Sequence, residues 1–383
     1  MRLLPLFVFW GLWFLNYSTR TCFSPILPLV EDSLHISHGA SGGLFTTLSI
    51  GYSLALLLSG RFGSTWGYKR TIVAGFIATG LVFFGLQRAQ SYLAFHILFF
   101  FMGVAGGTYI PAILPILTET YDARHWGKAI GFHDSAASFS ILILPIFMSF
   151  GLYFLPWRRL LLFFGVTCLL LPILFWKVSA EPGGRGEEHP RPRTLDLLKR
   201  KSVWIMGLLW IFSSGSSSGL YAVLPLYLIK ERGIDFHFAN TLFGLSRIGG
   251  IFVSILTGFL IDRYGYRLIL RMGILTTGLS TLLLSLSTSV SMILVSLFLQ
   301  ATLSLAFFPI GFTVVSKLTS PSERSLAMGL ILGIGMICGA GGVPFILGFV
   351  ADRASFQVGI LSLGVLTALS SWAVGLLETE TAR

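Results

Sequence analysis

The chain has 383 residues, of which 54% are hydrophobic and 11% are charged, and its formal net charge is +11. A water-soluble globule of this size and composition has too few polar side chains to cover its surface. The composition therefore excludes a soluble domain, and an integral membrane protein is expected.

Apolar stretches of about 20 residues recur along the whole chain, each long enough for a helix to cross a hydrocarbon core of roughly 30 Å. Runs of this length favour helices over the alternating strands of a barrel. An apolar run also follows Arg2, as in a secretory signal, but it continues past Pro28 with no small-residue cleavage site, so we expect it to be retained. The pattern predicts twelve transmembrane spans, which start near Leu4, Ser41, Thr71, Tyr92, Gly127, Trp157, Ser202, Phe236, Tyr266, Ser291, Ser322 and Phe356.

The basic excess indicates membrane topology rather than a nucleic-acid partner. With the amino terminus in the cytoplasm, most Lys and Arg residues fall on the cytoplasmic side. The outer side then carries only Arg88, Arg158, Arg159, Lys230, Arg232 and Arg353. Because this asymmetry follows the positive-inside rule, we expect a multi-pass protein of the inner (plasma) membrane, in contact with lipid, with both termini in the cytoplasm.

The second half of the chain repeats the first. Glycine and proline mark backbone geometry, so their coincidence at one offset indicates two similarly folded halves. A shift of 198 residues aligns Gly60 with Gly258, Gly67 with Gly265, Pro111 with Pro309, and Gly131 with Gly329. The sequence thus predicts an all-α membrane protein with two six-helix pseudo-repeats around a central cavity, over residues 1–177 and 202–383, joined by a polar cytoplasmic linker over 178–201.

A recognisable pattern follows the eighth predicted span: Gly258, Asp262, Arg263, Gly265 and Arg267. It is similar to the signature loop of the major facilitator superfamily, which has Gly, three residues, Asp, Arg, one residue, Gly and then basic residues. The glycines permit a tight turn and the basic residues stay in the cytoplasm. The resemblance implies a secondary transporter of twelve helices in which this loop has a structural or gating role.

The first-half copy of this loop keeps Gly60, Gly67, Lys69 and Arg70 but has Ser64 where the family usually has Asp. Charge-based gating at that loop is therefore left open.

Two features of the proton-driven drug exporters of this superfamily are missing. Those proteins carry an Arg four residues before a Gly in the fourth span, where Phe99 precedes Gly103. They also carry a Gly-Pro pair in the fifth span, where this chain has none. Export of amphipathic drug-like or lipid-like compounds is thus the less favoured alternative.

Four ionisable residues are the main functional candidates within predicted spans, since a charged side chain near a helix centre costs about 2.5–3.5 kcal/mol on insertion scales. Arg20 lies in the first span, His133 and Asp134 in the fifth and Arg247 in the eighth. In the superfamily these spans contribute to the central cavity. Two fixed cations with a single buried acid favour an anionic substrate.

The region around Arg20 resembles the first span of the organophosphate and anion:cation symporter branches, where an Arg eight residues before a Pro contacts the substrate anion. His133 falls where phosphate-exchanging members place a substrate-contacting His. The second Arg of those relatives is replaced by Ser217, eight residues before Pro225. The phosphate clamp that the resemblance would imply is therefore incomplete.

Arg247 is similar instead to the Arg of the eighth span in monocarboxylate and oxalate transporters, although the Asp that the monocarboxylate carriers place four residues earlier is Phe243 here. This mixture of features favours a carboxylate over a phosphate ester.

These observations predict a secondary active transporter that moves a small organic anion by alternating access and functions as a monomer. Arg20, Arg247, His133 and Ser217 are the predicted substrate-binding residues, and Asp134 with His133 is predicted to couple transport to protons. The sequence contains no Gly-x-x-x-x-Gly-Lys-Ser/Thr motif, so an ion gradient or exchange would drive transport. No cofactor is expected. Nor is a metal site, because the three cysteines have no ligand-like spacing.

Structural roles for the same residues remain open. Arg247 and Asp134 are candidates for a bridge between spans, Asp134 for a pair with Lys128 or Arg124, and His133 for a bond to a backbone carbonyl. The small residues from Ser213 to Gly219 suit close helix packing as well as a substrate surface. A membrane-embedded enzyme that uses His133 and Asp134 is a remote alternative, because no nucleophile or second acid lies at a recognisable spacing.

Overall fold

The computed structural model describes residues 3–182, 194–320 and 323–377, and in these ranges the chain forms helices joined by turns. Ten helical stretches of the described chain are long and apolar enough to cross a membrane. The other two predicted spans are interrupted, one at Cys22 and one at Arg247. The predicted all-α membrane fold is confirmed, and the helices of both halves follow one another in the predicted order.

The helices of the first half form the first six spans. They are α1 (Leu3–Thr21), α2 (Phe23–Leu34), α3 (His38–Trp66), α4 (Tyr68–Arg88), α5 (Tyr92–Gly107), α6 (Tyr109–Thr120), α7 (Trp126–Gly151) and α8 (Trp157–Val178).

The helices of the second half follow a short helix, α9, at the end of the linker. They are α9 (Thr194–Leu198), α10 (Lys201–Ser214), α11 (Leu220–Leu226), α12 (Phe236–Leu245), α13 (Ile248–Tyr264), α14 (Tyr266–Leu286), α15 (Val290–Leu303), α16 (Phe307–Leu318), α17 (Arg324–Ile334), α18 (Gly342–Ala351) and α19 (Phe356–Ser370).

The contacts divide the chain into two compact units. Unit 1 comprises residues 1–36, 47–187 and 235–244, and unit 2 comprises residues 37–46, 188–234 and 245–383. The start of α3 therefore belongs to unit 2 and nearly all of α12 belongs to unit 1. The domain boundaries 1–177, 178–201 and 202–383 remain a prediction.

In unit 1, glycines bring α3 and α5 into backbone contact. A Cβ atom on Gly103 would collide with the carbonyl of Leu48, and one on Gly51 would collide with the carbonyl of Phe100. Small residues permit this approach because no hydrophobic force drives helices together inside lipid, where packing and hydrogen bonds do the work. The contact fixes α3 against the helix that carries Gly106, next to Arg20.

In unit 2, the seventh span contains two π-helical stretches, Gly215–Gly219 and Tyr227–Glu231, and the eleventh span contains one, Gly335–Gly341. The hydroxyl of Ser214 donates to the carbonyl of Gly335 at 2.7 Å. A Cβ atom on Gly339 would collide with Ser214 and with the carbonyl of Ile211. These small residues therefore form a close helix contact in this conformation.

The first turn of α3 lies against the end of α18, within unit 2. The carboxylate of Asp352 accepts hydrogen bonds from the backbone amides of His38 and Gly39, each at 2.9 Å. Partial burial raises the pKa of Asp352, but the bonds from Gly39, from the Ser37 hydroxyl and from His38 outweigh it, so the pKa lies below its usual value.

The start of α12 lies against α2 and α7, within unit 1. The side-chain amide of Asn240 donates to the carbonyl of Pro25 at 3.2 Å, and His237 Nδ1 lies 2.9 Å from the hydroxyl of Ser149. The ring of His237 stacks on Tyr153 with centroids 4.0 Å apart.

The two signature loops have matching geometry. Gly67 and Gly265 have φ angles of 103° and 80°, which disfavour any residue with a side chain, and they precede α4 and α14. Lys69 Nζ donates to the carbonyl of Ser179 at 2.8 Å, and the guanidinium of Arg267 donates to the carbonyl of Leu377. In each half, the loop thereby holds the end of the last span.

The two loops differ in their other contacts. In the first half, the carboxylate of Glu181, which follows α8, accepts hydrogen bonds from the backbone amides of Tyr68, at 2.6 Å, and Lys69, at 3.2 Å. It thus supplies a negative charge at the start of α4. Arg70, Asp262 and Arg263 are exposed. The packing of Gly60 lies outside what the structure describes.

Substitution of Gly265 by alanine should destabilise the protein, because its φ of 80° and ψ of 152° lie in a region that essentially only glycine adopts, where a residue with a Cβ costs about 1–3 kcal/mol. Gly258 of α13 is the matched control: an added methyl group would meet open space at either glycine, but Gly258 has no positive φ. Thermal unfolding in detergent should give a lower midpoint for Gly265→Ala and an equal or higher one for Gly258→Ala. Equal midpoints in both variants would contradict this.

Candidate functional site

Arg20 lies in the last turn of α1, and aromatic rings surround its guanidinium group. The Cζ atom lies 4.8 Å from the ring centroid of Tyr17, 4.5 Å from that of Tyr52 and 5.7 Å from that of Trp13. Cation–π contacts of this kind hold a cation where no carboxylate is present. The described residues provide no ion pair for Arg20, and its buried Nη2 atom has no hydrogen-bond partner among them.

The chain breaks its helix directly after Arg20 for a local reason. Pro25 and Pro28 lack the amide hydrogens that would bond to the carbonyls of Thr21 and Ser24, so α1 ends at Thr21 and α2 begins at Phe23. The hydroxyl of Thr21 donates instead to the carbonyl of Tyr17 at 2.9 Å.

Asn16 lies one turn before Arg20 and is 4% exposed. Its amide nitrogen donates to the carbonyl of Gly106 at 3.2 Å, whereas its Oδ1 atom is buried and has no partner among the described residues. Arg20 Nε donates to the backbone carbonyl of Asn16, not to this side chain, over a long 3.4 Å. A buried acceptor and a buried donor therefore remain open on consecutive turns.

His133 is buried in α7, at 3% exposure, and bonds to a tyrosine of α6. Its Nε2 atom lies 3.0 Å from the hydroxyl of Tyr109, which donates to the carbonyl of Phe9 at 3.1 Å. Because that hydroxyl has one hydrogen, Nε2 of His133 is the donor in this arrangement. Trp13 lies nearly parallel to both rings, with centroid distances of 5.5 Å to Tyr109 and 5.8 Å to His133.

Asp134 points away from His133, as expected for neighbours that project about 100° apart on a helix. Its side chain is exposed, whereas that of His133 is buried. Among the described residues Asp134 forms no ion pair, neither with Lys128 nor with Arg124. Arg124 pairs instead with Asp122, at 3.4 Å.

Trp13 connects two of the predicted residues of unit 1. It lies beside the guanidinium of Arg20 and stacks on the ring of His133. The arrangement thus brings a fixed cation and an imidazole to one indole, where α1 packs against α7.

Arg247 is 3% exposed and lies in unit 2, at the break between α12 and α13. Its Cζ atom lies 4.8 Å from the ring centroid of Tyr221. Tyr221 follows Ser217 by four residues, and Ser217 is buried within the first π-helical stretch of the seventh span. The two predicted binding residues of unit 2 are therefore both close to Tyr221, Ser217 along the chain and Arg247 in space.

The π-helical stretch also carries a polar cluster next to Ser217. The backbone carbonyl of Ser216 accepts a hydrogen bond from the side-chain amide of Gln300 at 2.7 Å. The hydroxyl of Ser216 lies 2.8 Å from the hydroxyl of Thr367. A π turn interrupts the regular α-helical hydrogen bonds. The Gln300 side chain therefore supplies a hydrogen bond to a backbone carbonyl within the π-helical stretch.

Sequence reasoning missed several residues of this site. Asn16 was recognisable as a polar residue four positions before Arg20 in an apolar helix, a spacing that places both on one face. Tyr52, Tyr109 and Tyr221 carry no such signal, because an aromatic residue in a span is as typical of packing as of a site. Glu31, a buried acid near the end of α2, was also not singled out.

The chain matches the Major Facilitator Superfamily over residues 9–255 and 211–383. It belongs to this superfamily of membrane transporters, which bind small molecules.

Relatives with curated names are distant. The chain is 22% identical to the hexuronate transporter of Bacillus subtilis, over 68% of this chain and 64% of that protein. It is 21% identical to the cis,cis-muconate transport protein of Acinetobacter baylyi, over 88% and 84%. A probable hexose phosphate transport protein of Chlamydia trachomatis is 24% identical, over 64% and 61%. The match with the uncharacterized transporter YybO of Bacillus subtilis spans 41% of that protein.

Solved structures share the fold. A bacterial homologue of the human lysosomal transporter Spinster aligns with a TM-score of 0.83 at 15% identity, over 97% of this chain and 96% of that one. The nucleoside transporter NupG gives 0.84 at 14%, over 97% and 99%, and a D-xylose-proton symporter gives 0.80 at 16%, over 98% of each chain.

Proposed function

We propose that the protein is a secondary active transporter of a small organic carboxylate that works by alternating access. The observation that carries this proposal is the guanidinium of Arg20, held inside a span by three rings and without an ion pair among the described residues. A fixed cation that has no carboxylate partner favours a binding site that the transported anion completes.

Arg247 supports the same proposal from the other unit. It is the one arginine among the described residues that is almost fully buried, and it lies over an aromatic ring as Arg20 does. Hexuronate and muconate, the substrates in two relatives' names, are carboxylates, and hexose phosphate is another anion. We infer that His133 in unit 1 and Ser217 in unit 2 also contact substrate, and that none of these residues has a catalytic role.

Lysine in place of either arginine should remove most transport. A lysine keeps the charge but cannot present two parallel N–H groups to a carboxylate. A loss of about 2 kcal/mol, or roughly 30-fold in kcat/KM for carboxylate uptake, is expected for Arg20→Lys and for Arg247→Lys. Uptake into proteoliposomes is the measurement, with Arg271→Lys, an exposed arginine of α14, as the control. Unchanged kinetics in both variants would assign the two arginines a structural role.

We further propose that Asp134 couples transport to protons, with His133 as its neighbour in the relay. Asp134 follows His133 on α7, and the ring of His133 stacks on the same indole as Arg20, so substrate bound to Arg20 alters the charge near Asp134. An anion that engages Arg20 would favour protonation of Asp134, which makes the loaded site closer to neutral.

The variant Asp134→Asn should retain carboxylate exchange but lose accumulation driven by an inward proton gradient. Counterflow and gradient-driven uptake, measured in the same proteoliposomes, separate the two steps. Accumulation at the parent level in Asp134→Asn would exclude this residue as the coupling group, and His133→Gln would then be tested.

The charge distribution supports a location in the inner (plasma) membrane with both termini and the 178–201 linker in the cytoplasm. A cysteine introduced at Gly184, a linker residue outside the described part of the chain, should not react with an impermeant thiol reagent in intact cells and should react after lysis. Arg353→Cys, at the opposite predicted face, is the positive control. Labelling of the Gly184 variant before lysis would reverse the topology.

A further inference from the structure

The side-chain amide of Asn16 has a fixed orientation. Its Nδ2 atom donates to the carbonyl of Gly106, and the reversed amide would place two acceptor oxygens against each other. The Oδ1 atom is therefore the acceptor that is left without a partner among the described residues. Since the residue is only 4% exposed, inside a membrane span, this oxygen is costly to leave unpaired.

The side chain of Arg20, which carries the open donor, and the side chain of Asn16, which carries the open acceptor, flank the same glycine of α5. The Cδ atom of Arg20 and the Nδ2 atom of Asn16 lie 3.5 Å and 3.8 Å from the position that a Cβ atom of Gly106 would occupy. The two residues are also one helical turn apart on α1, so both side chains lie on one face of that helix. Arg20 Nη2 and Asn16 Oδ1 are both buried, yet neither bonds to the other.

A ligand that satisfies both atoms needs an acceptor and a donor close together. A carboxylate oxygen suits Arg20 Nη2. The group that meets Asn16 Oδ1 must carry a hydrogen on oxygen or nitrogen. An ammonium group in that place would add a second cation beside Arg20, whereas a hydroxyl group carries no charge.

Resting on the proposed carboxylate transport, we infer that the substrate is a hydroxy carboxylate whose hydroxyl group donates to Asn16 Oδ1 while its carboxylate accepts from Arg20. Asn16 is then the residue that determines specificity for the hydroxyl group. A site built to bond a hydroxyl rejects the analogue without it, because the buried oxygen is then left unpaired.

Three acids of one carbon skeleton test this inference: lactate, propionate and alanine, with malate, succinate and aspartate as the dicarboxylate set. Binding to the purified protein is measured as ligand-dependent thermal stabilisation, since a ligand of the folded state raises its apparent stability. In the parent protein the hydroxy acid of at least one set should bind at least about tenfold more tightly than the other two members.

The variant Asn16→Leu should lose that preference while it binds the acid without a hydroxyl group within about threefold of the parent. Ser18→Ala is the matched control, because Ser18 is buried on the same helix and its hydroxyl already has a partner in Ser140, at 2.8 Å. Its preference should equal that of the parent. An unchanged preference in folded Asn16→Leu would overturn the role of Asn16.

The parent protein alone also decides between outcomes, should Asn16→Leu fail to fold. Equal binding of all carboxylates overturns the hydroxyl inference and leaves carboxylate transport standing. Tightest binding of alanine or aspartate overturns it in favour of an amino acid. Absence of binding by every acid in both sets overturns the proposed function together with the inference.

Discussion

The hydrocarbon of a membrane offers no hydrogen-bond partner, and this constraint determines most of what the structure shows. Where a helix is regular, its backbone satisfies itself. Where it is not, a side chain can complete the bonding, as Gln300 does at the carbonyl of Ser216. Helix ends are treated in the same way, since Lys69 and Arg267 each bond to a carbonyl that follows the last span of their half. Asn16 Oδ1 and Arg20 Nη2 are among the buried side-chain atoms that the described residues leave without a hydrogen-bond partner.

Cations in the spans obey a related constraint. Arg20 has no aspartate or glutamate as a neighbour along its helix and lies over the faces of tyrosine rings, where the quadrupole is attractive; Arg247 lies over the ring of Tyr221. A ring cannot neutralise a charge. The rings around Arg20 hold its guanidinium in position and leave the charge for an anion, as the proposed function requires.

Much of the fold could be predicted because lipid imposes simple rules. Span length and the 198-residue repeat each reflect a single physical requirement, and the glycine at each signature turn was recognisable from its loop. The tyrosines of the site were not, because nothing in the sequence distinguishes Tyr52 or Tyr109 from packing residues. The sequence also could not predict that residues 37–46 belong to unit 2 and residues 235–244 to unit 1. That assignment depends on which helix surfaces pack together, and the apolar periodicity of these segments would be the same in either unit.

The first π-helical stretch of the seventh span changes how the two halves can be compared. Such a stretch accommodates about one extra residue, which rotates everything beyond it by about 100° relative to an uninterrupted helix. Ser217 and Pro225 are eight residues apart, as are Arg20 and Pro28, but the first interval crosses a π-helical stretch and the second crosses the break at Cys22. Equal counting along the two spans therefore does not mean equal direction in space. A counterpart of Arg20 in the second half therefore need not occupy the aligned position. Arg247 of the eighth span is our candidate for that role.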